Sequence, residues 1–510
     1  MAAQEILEVE RKYNVDDDAA VQPLAGLPGV DRVGPPVTHH LVAVYFDTHD
    51  FTLATHGITL RHRTGGSDAG WHLKLPEGAA RREIREPLGV DSKAVPERLR
   101  RLVAVHVRAA ELVPVAQLTT RRTASPLLTA GGEVLAEFSD DRVESQAPPG
   151  IGQQQRWREW EIELVDGTPD LLTAADEMLA SNGVHPAELA SKLARALGPS
   201  LPQKPKPAAA PKRKGQAGVV LLTYLQRHVD ALKTVDPGVR LDAEDAVHQL
   251  RVSARRMRSA LATFKKLVDA PTADRLRAEL QWLAGTVGQA RDVEVMRERL
   301  TALAAGELPE LLVGPVAQRI QEESDSRYRQ AHDVGLAAMD SERYFHLLDS
   351  LDAFVADPPL TDRAHQKASK TVARHIAKDI ERLKEAVRAA EDADDADSSG
   401  EAAGEEAVDA ALHEVRKSAK RLRYAAEAAT PVLGKRASRL AKSAERIQET
   451  LGTVQDSVVS RAHLLDLAAQ AHDDGDSAFS FGRLHALEQQ RAAEARAQFV
   501  RDWADFIKNQ

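Results

Sequence analysis

The spacing of hydrophobic and polar positions changes once along the chain. Over the first 200 residues the apolar positions alternate in short runs: Ile6 to Tyr13, Leu41 to Phe46, Ile58 to Arg63, Trp71 to Leu75, Val134 to Phe138 and Trp157 to Val165. A period of two gives a strand one inner and one outer face, and several such runs separated by turn residues predict an antiparallel sheet or barrel. Leu171 to Ala180 and Pro186 to Leu197 carry helical spacing. From Val219 onward the pattern turns to long Ala, Leu, Arg and Glu stretches, which predicts an all-α region. Residues 201–216 lie between the two and read LPQKPKPAAAPKRKGQ, a semi-extended linker. The expected organisation is therefore 1–200 as a β-rich domain, 201–216 as linker and 217–510 as a helical domain. Within the last, the acidic stretch 389–409 reads as a disordered loop.

The helical region repeats itself. VHQLRVSARRMRSALATFKKL from Val247 is matched by LHEVRKSAKRLRYAAEAATPVL from Leu412. Each is followed by a related segment, Leu283 to Val295 and Glu449 to Val459. His248 to Asp292 spans 44 positions (292 − 248) and His413 to Asp456 spans 43 (456 − 413). Such agreement predicts two related helical halves about a pseudo-two-fold axis.

On a helical wheel at about 100° per residue, His248, Arg251, Arg255 and Arg258 share one face, while Leu250, Met257, Leu261 and Phe264 take the other. In the second copy His413, Arg416, Lys420 and Arg423 oppose Val415, Leu422, Ala426 and Ala429. Cations at i, i+3 and i+7 repel by some tenths of a kcal/mol per pair. Two such stripes in register point to a polyanion that completes them, and the planar guanidinium suits phosphate. A solvated basic face is the plain alternative for either helix alone, as is a structural role for either histidine. The net charge of −9 confines any anion site to such local clusters and removes the generic nucleic-acid binder. No aromatic residues interleave the cations for base stacking, so no specific nucleic acid is expected.

These two copies resemble the paired signatures of the CHAD family, conserved-histidine α-helical domains that bind polyphosphate. The resemblance runs from Gly218 to Gln510. It implies a helical bundle with a basic pore or groove, and it implies His248, Arg251, Arg255, Arg258, His413, Arg416, Lys420 and Arg423 as polyphosphate contacts.

The β-rich region carries charges where a sheet would place apolar residues. Glu8, Glu10 and Lys12 share one strand face, as do Arg61 and Arg63, His72 and Lys74, and Glu159, Glu161 and Glu163. Facing outward, they would be ordinary solvent-exposed strands. Facing inward, they would need water, metal and an anion, because buried unpaired charges are too costly. Magnesium takes one or two carboxylates together with phosphate oxygens, and those oxygens take Arg and Lys.

EVERK at Glu8 to Lys12 fits the ExExK signature of the CYTH family, the triphosphate tunnel metalloenzymes. YFDTHDFTLATHGITLRHR, WHLKL, TTRRT (Thr119 to Thr123), SDD (Ser139 to Asp141), EIEL (Glu161 to Leu164) and SKLARAL (Ser191 to Leu197) follow in that family's order. The resemblance covers residues 1–200 and implies an eight-stranded antiparallel tunnel. With the helical region this gives a multidomain α+β chain: a β tunnel with flanking helices, then an all-α bundle of two related halves. The resemblance implies Glu8, Glu10, Glu161, Glu163 and Asp140 as ligands of Mg²⁺ or Mn²⁺. Lys12, Arg61, Arg63, Lys74, Arg122 and Lys192 become the grip on a triphosphate, and Glu8, Glu10 and Lys12 the catalytic core. Arg81 and Glu83 fit a frequent R-x-E-x-E strand of the family, but Arg85 stands at its last acid. Ala124 to Pro126 and Leu193 stand where the family often has aromatics. These departures bear on substrate choice and turnover.

The expected activity is metal-dependent hydrolysis of inorganic triphosphate to pyrophosphate and phosphate, with the helical domain holding long-chain polyphosphate. The alternatives are a polyphosphate-granule adaptor without turnover, an adenylate cyclase, and hydrolysis of thiamine triphosphate. There is no cysteine, which excludes disulfides and thiolate metal sites and fits a reducing cytoplasm. No apolar run reaches the roughly 18 residues of a membrane span, so no membrane partner is expected. The place expected for such a chain is the cytoplasm, at polyphosphate granules.

Overall fold

Alternation in the first region produces ten antiparallel strands: β1 (Gln4–Glu8), β2 (Glu10–Val15), β3 (Arg32–Val33), β4 (Val37–Asp47), β5 (Thr59–Thr64), β6 (Gly70–Glu77), β7 (Ala80–Glu86), β8 (Val113–Leu128), β9 (Val134–Gln146) and β10 (Gln155–Leu164). In this computed structural model the described residues are 4–78, 80–89, 94–146, 154–187, 191–202, 210–396 and 402–508. The strand order is β1-β7-β6-β5-β4-β8-β9-β10-β2, with β3 appended to β8. Only Val9 separates β1 from β2. Glu8 lies opposite Arg81 on β7, while Glu10 lies opposite Glu163 on β10. The Val9 carbonyl itself accepts from the Leu164 N–H at 3.0 Å. One first strand thus touches both ends of the sheet and nearly closes it. The ten strands make the eight staves expected of the tunnel, since β1 and β2 form one stave and β3 only decorates β8.

Helices α1 (Thr52–Thr55), α2 (Glu97–Val107) and α3 (Pro169–Ala180) accompany the barrel. Leu171, Leu172, Ala175 and Leu179 of α3 cover Tyr13, Phe138, Trp160 and Ile162, the residues that alternate with the charged positions of β2, β9 and β10. Burial of such side chains stabilises by roughly 1.5–3 kcal/mol each. Helix α4 (Lys192–Leu197) is shorter than the predicted Pro186 to Leu197. Pro186 pairs with Tyr13 of β2, and the Ala187 N–H donates to the Lys12 carbonyl, so this segment belongs to the sheet. Ser191 caps α4 by accepting from the Ala194 N–H. The helix then inserts Leu193, Ala196 and Leu197 among Ala43, Tyr45, Leu118 and Trp157. These positions share the inner face with the charged residues, so α4 fills one end of the barrel with apolar side chains and leaves the rest polar.

The chain divides into two compact units, Met1–Lys206 and Pro207–Gln510. The linker expected at 201–216 falls at this division, and its residues 203–209 lie outside the described ones. The second unit holds α5 (Ala217–Arg240), α6 (Ala246–Thr263), α7 (Ala270–Thr286), α8 (Gly288–Ala305), α9 (Val316–Met339), α10 (Glu342–Ala356), α11 (Ala368–Ala396), α12 (Ala402–Leu433), α13 (Lys435–Asp473) and α14 (Phe479–Lys508). The acidic loop expected at 389–409 is corrected. Helix α11 continues to Ala396 and α12 begins at Ala402, while 397–401 lie outside the described residues. Val387 and Ala390 are buried along α11 and Val408 along α12. Their apolar spacing makes 389–396 and 402–409 helical despite a composition that reads as disorder. The two repeat helices, α6 and α12, pack against each other with the predicted faces inward. Leu250, Met257, Leu261 and Phe264 are buried, and so are Val415, Leu422, Ala426 and Ala429.

Candidate functional site

The inner face of the barrel lines a polar cavity of about 60 Å³. Register explains which side chains reach it. Arg61 lies opposite Tyr45 and His72, Lys74 opposite Glu83, Lys12 opposite Glu161, and Arg122 opposite Asp141. Residues directly opposite share a face, so the charges of successive strands meet inside.

They sort into an acidic end and a cation-bound centre. At the acidic end, carboxylate oxygens of Glu8, Glu10 and Glu163 lie within 4.8 Å of one another. Glu8 Oε1 accepts from Lys74 Nζ at 2.5 Å, but Glu8 Oε2 is buried with no hydrogen-bond partner. Burial, reinforced by the charges of Glu8 and Glu10, pushes the Glu163 carboxyl up to about 7. Burial also acts to raise Glu10, but Lys12 and Lys74 outweigh it and hold that carboxyl below its usual range. An orphaned oxygen beside a half-protonated carboxyl, all from oxygen donors, is the donor set that fits a hard divalent cation.

At the centre, Asp141, Glu159 and Glu161 form a second carboxylate group. Cations already occupy it. Lys192 Nζ stands 2.9 Å from Asp141, 2.7 Å from Glu159 and 2.5 Å from Glu161. Arg122 donates to both Asp141 and Glu161, and Lys12 pairs with Glu161. Burial works against the charged forms here, but this packing of opposite charge holds Glu161 well below and Lys192 well above their ordinary values.

Two tunnel expectations change. Asp140, expected at the metal, faces away from the cavity and accepts a bidentate pair from Arg158 at 2.8 Å per bond. Its neighbour Asp141 is the inward residue, fully buried. The SDD motif offers two adjacent acids, and strand parity selects the second. Glu161, also expected at the metal, has both oxygens engaged by Lys12, Lys192 and Arg122. Sequence reasoning placed Glu83 in the R-x-E-x-E strand but gave it no site role; it is 1% exposed and gathers His72, Lys74 and Arg85. Its parity with Arg81 and Arg85 was the available signal.

In the helical unit the two basic stripes converge. Burial together with Arg255, Arg416, Arg251 and Arg258 pushes the Lys420 ammonium down to about 7, which brings cations of both helices onto one lysine. The repeat is also geometric. Arg251 lies flat on α8, where a Cβ at Gly288 would meet its Nε at 2.9 Å, and it donates to the Gly288 carbonyl at 3.1 Å and to Asp292. In the other half, a Cβ at Gly452 would meet Arg416 at 3.6 Å, and Arg416 acts on Asp456. The Nε atoms of Arg255 and Arg416 are buried without partners. Burial and neighbouring cations lower His248 and His413, so both imidazoles are neutral near pH 7. Arg423 departs from the expected stripe. It turns to Glu427 at 3.0 Å and Glu445 at 2.6 Å.

The CYTH domain profile matches residues 7–197, and the CHAD domain profile matches residues 223–465. The chain belongs to both families. CYTH members are triphosphate-tunnel enzymes, triphosphatases and cyclases among them. This CYTH–CHAD chain is 40% identical over 514 residues to an uncharacterized protein of Mycobacterium tuberculosis (strain CDC 1551 / Oshkosh), an alignment covering 96% of this chain and 94% of that protein. The chain is similar to PptA from Streptomyces chartreusis at 24% identity, covering 57% of this chain and 99% of that one with a TM-score of 0.45. It is also similar to the CHAD domain of the plant Ricinus communis, at 25% identity, 57% and 92% coverage and a TM-score of 0.44. The chain is similar as well to a candidate adenylyl cyclase from Hippeastrum with a dominant triphosphatase activity, at 20% identity, 37% and 94% coverage and a TM-score of 0.25. Among the described residues of the CYTH–CHAD chain, no helix is long and apolar enough to cross a membrane.

Proposed function

We propose that the CYTH domain hydrolyses inorganic triphosphate with Mg²⁺ or Mn²⁺, and that the CHAD domain binds polyphosphate chains. The observation that carries this reading is the enclosed cavity in which an incompletely neutralised carboxylate trio adjoins a concentration of lysine and arginine. Glu8, Glu10 and Glu163 would hold the cation, which supplies Lewis acidity to phosphate oxygens. Lys12, Arg122 and Lys192, already fixed around Glu161, would present ammonium and guanidinium groups to the chain. Arg61 would grip its far side; the Arg61 Nε is buried and has no hydrogen bond. Such pre-aimed donors in a site shielded from bulk water stabilise charge as it develops in the transition state. The apolar fill from α4 keeps water from entering at that end.

A purely inorganic substrate is favoured over a nucleotide or thiamine triphosphate by the lining itself. Among the described residues Tyr45 is its one aromatic ring, and that ring is pinned by Arg61 and by α4. In the CHAD domain the converging stripes of α6 and α12, with unpartnered guanidinium nitrogens, support a linear polyanion as ligand. Both sites share one chain, so polyphosphate held by one raises the local concentration of phosphate ends for the other. The test offers purified protein triphosphate, ATP and long-chain polyphosphate with Mg²⁺ or Mn²⁺. Phosphate release from triphosphate that disappears in Glu8→Ala and Glu10→Ala is the expected result. Chain binding without any release would return the adaptor reading, and cyclic AMP from ATP the cyclase reading.

A further inference from the structure

The cations of β5 and β6 form a ladder leading away from the acidic trio. Lys74 lies opposite Thr59, at the level of Glu8. Arg61 is the next rung and Arg63 the last, with two-residue steps of about 6.6 Å along the strand. Beyond Arg63 the chain turns through residues 65–69 into β6. That turn returns one acid to the cavity, Asp68, which differs from the other lining acids in coming from a turn rather than a strand.

Asp68 pairs with Arg63. Arg63 is 6% exposed, and its Nε has no hydrogen bond. Burial and the neighbouring charges of Arg61 and Arg122 depress its guanidinium to about 9, so an anion is the partner this position calls for. The position of Asp68 is built. Gly65 and Gly66 adopt φ of 80° and 75°, and a Cβ at Gly65 would meet the His40 carbonyl oxygen at 2.0 Å, so the turn is pressed against β4. The Asp68 carbonyl is held by His72 Nε2 at 2.9 Å, and His72 Nδ1 is 2.9 Å from Glu83. The backbone is fastened on one side while the carboxylate reaches the guanidinium on the other.

We propose that Asp68 is a chain-length gauge: its carboxylate occupies the last rung of the cation ladder and confines the tunnel to short linear polyphosphates. This rests on the triphosphatase reading above. A triphosphate engages Lys74 and Arg61 with Asp68 in place. A longer chain reaches Arg63 only by displacing the protein's own carboxylate, and pays that displacement in affinity.

The test is kcat/KM for linear tetraphosphate against triphosphate in the full-length protein, Asp68→Asn and the double variant Asp68→Asn/Arg63→Gln. Asparagine keeps the shape and the backbone bond to His72 while removing the competing charge. A partly exposed pair of this kind corresponds to about a fivefold effect at most. The tetraphosphate-to-triphosphate ratio is expected to rise about fivefold in Asp68→Asn, with triphosphate changed less than twofold, and to fall back when Arg63 is also removed. An unchanged ratio, a parallel loss on both substrates, or a gain that survives without Arg63 overturns the gauge. A wild-type protein that turns over neither chain overturns the triphosphatase reading and takes the gauge with it; an active enzyme with an unchanged ratio removes the gauge alone.

Discussion

Glu163 gives the sharpest handle on the acidic trio. Its folded carboxyl holds a proton up to about pH 7, against an ordinary value of 4.5. Between those two values the folded protein binds more protons than the unfolded chain, so stability falls as pH rises through that window and stays low above it. At about 1.36 kcal/mol per tenfold, the full shift sets a ceiling of about 3.4 kcal/mol. Glu163 is only half-buried and faces the cavity's solvent, so screening reduces this to about 1–2 kcal/mol. In metal-free protein with EDTA, Glu163→Gln should therefore match wild type at pH 5 and exceed it at pH 8. For a unit of this size the excess corresponds to about 3–6 °C in Tm. Calorimetric scans from pH 5 to 8.5 make the measurement, with the CYTH transition recognised by its response to triphosphate. Added Mg²⁺ should raise wild type at pH 8 more than it raises Glu163→Gln. Parallel Tm–pH curves for the two proteins would refute the reasoning, because the strain would then not reside in this carboxyl.

Four further outcomes follow from the same structure. Reversal of Arg251 and Arg416 to Glu should abolish polyphosphate binding in a filter or calorimetric assay while circular dichroism stays unchanged. Lys420 carries its charge only below about pH 7 in the free protein, so polyphosphate affinity should weaken as pH rises from 6 to 8, and Lys420→Met should flatten that profile. Asp140→Asn should leave triphosphate turnover within twofold and cost about 1 kcal/mol of stability through Arg158. Asp141→Asn should instead lower turnover by tenfold or more, because Asp141 holds both Arg122 and Lys192.

Much of this arrangement was legible because period-two alternation leaves only two choices of face. Once Glu8, Glu10 and Lys12 are placed inside, register carries Glu161, Arg61 and Lys74 inside with them. The same rule rejects Asp140, whose parity matches the outward Trp160 rather than Glu161. Adjacent acids in SDD look equivalent on paper, and only strand phase separates them. The division of labour among the carboxylates was not legible. Glu161 and Glu163 stand two positions apart on one face, yet one is saturated by Lys12, Lys192 and Arg122 and the other is raised by Glu8 and Glu10. That difference depends on α4, which delivers Lys192 from a distant part of the chain. Asp68 was invisible for a related reason, since a turn residue carries no periodicity. In the helical unit the wheel gave the stripes, but it could not show Arg423 turning to Glu427 and Glu445. Composition misled at 389–396 and 402–409, where apolar spacing outweighs the acidic bias.

The two sites answer the same problem of concentrated positive charge in opposite ways, and this has a consequence for metal dependence. Eight lysines and arginines line the tunnel. Five acids line it with them, and Glu10, Asp141 and Glu159 stand behind, which brings the local charge close to balance. A triphosphate entering such a cavity brings several negative charges to a neutral site beside Glu8 and Glu163, so its binding requires a divalent cation to arrive with it. The CHAD stripe has no such balance. Arg251 meets Asp292 and Arg416 acts on Asp456, while Arg251, Arg255, Arg258 and Arg416 together press on Lys420, and a polyanion can relieve that repulsion by itself. Chelation should therefore separate the two activities. With EDTA, triphosphate turnover should vanish while long-chain polyphosphate binding changes by less than about twofold and keeps its steep weakening with salt. If EDTA releases the polyphosphate as well, the stripe is bridging its ligand through a cation, and the unbalanced guanidinium groups of α6 and α12 are not what holds the chain.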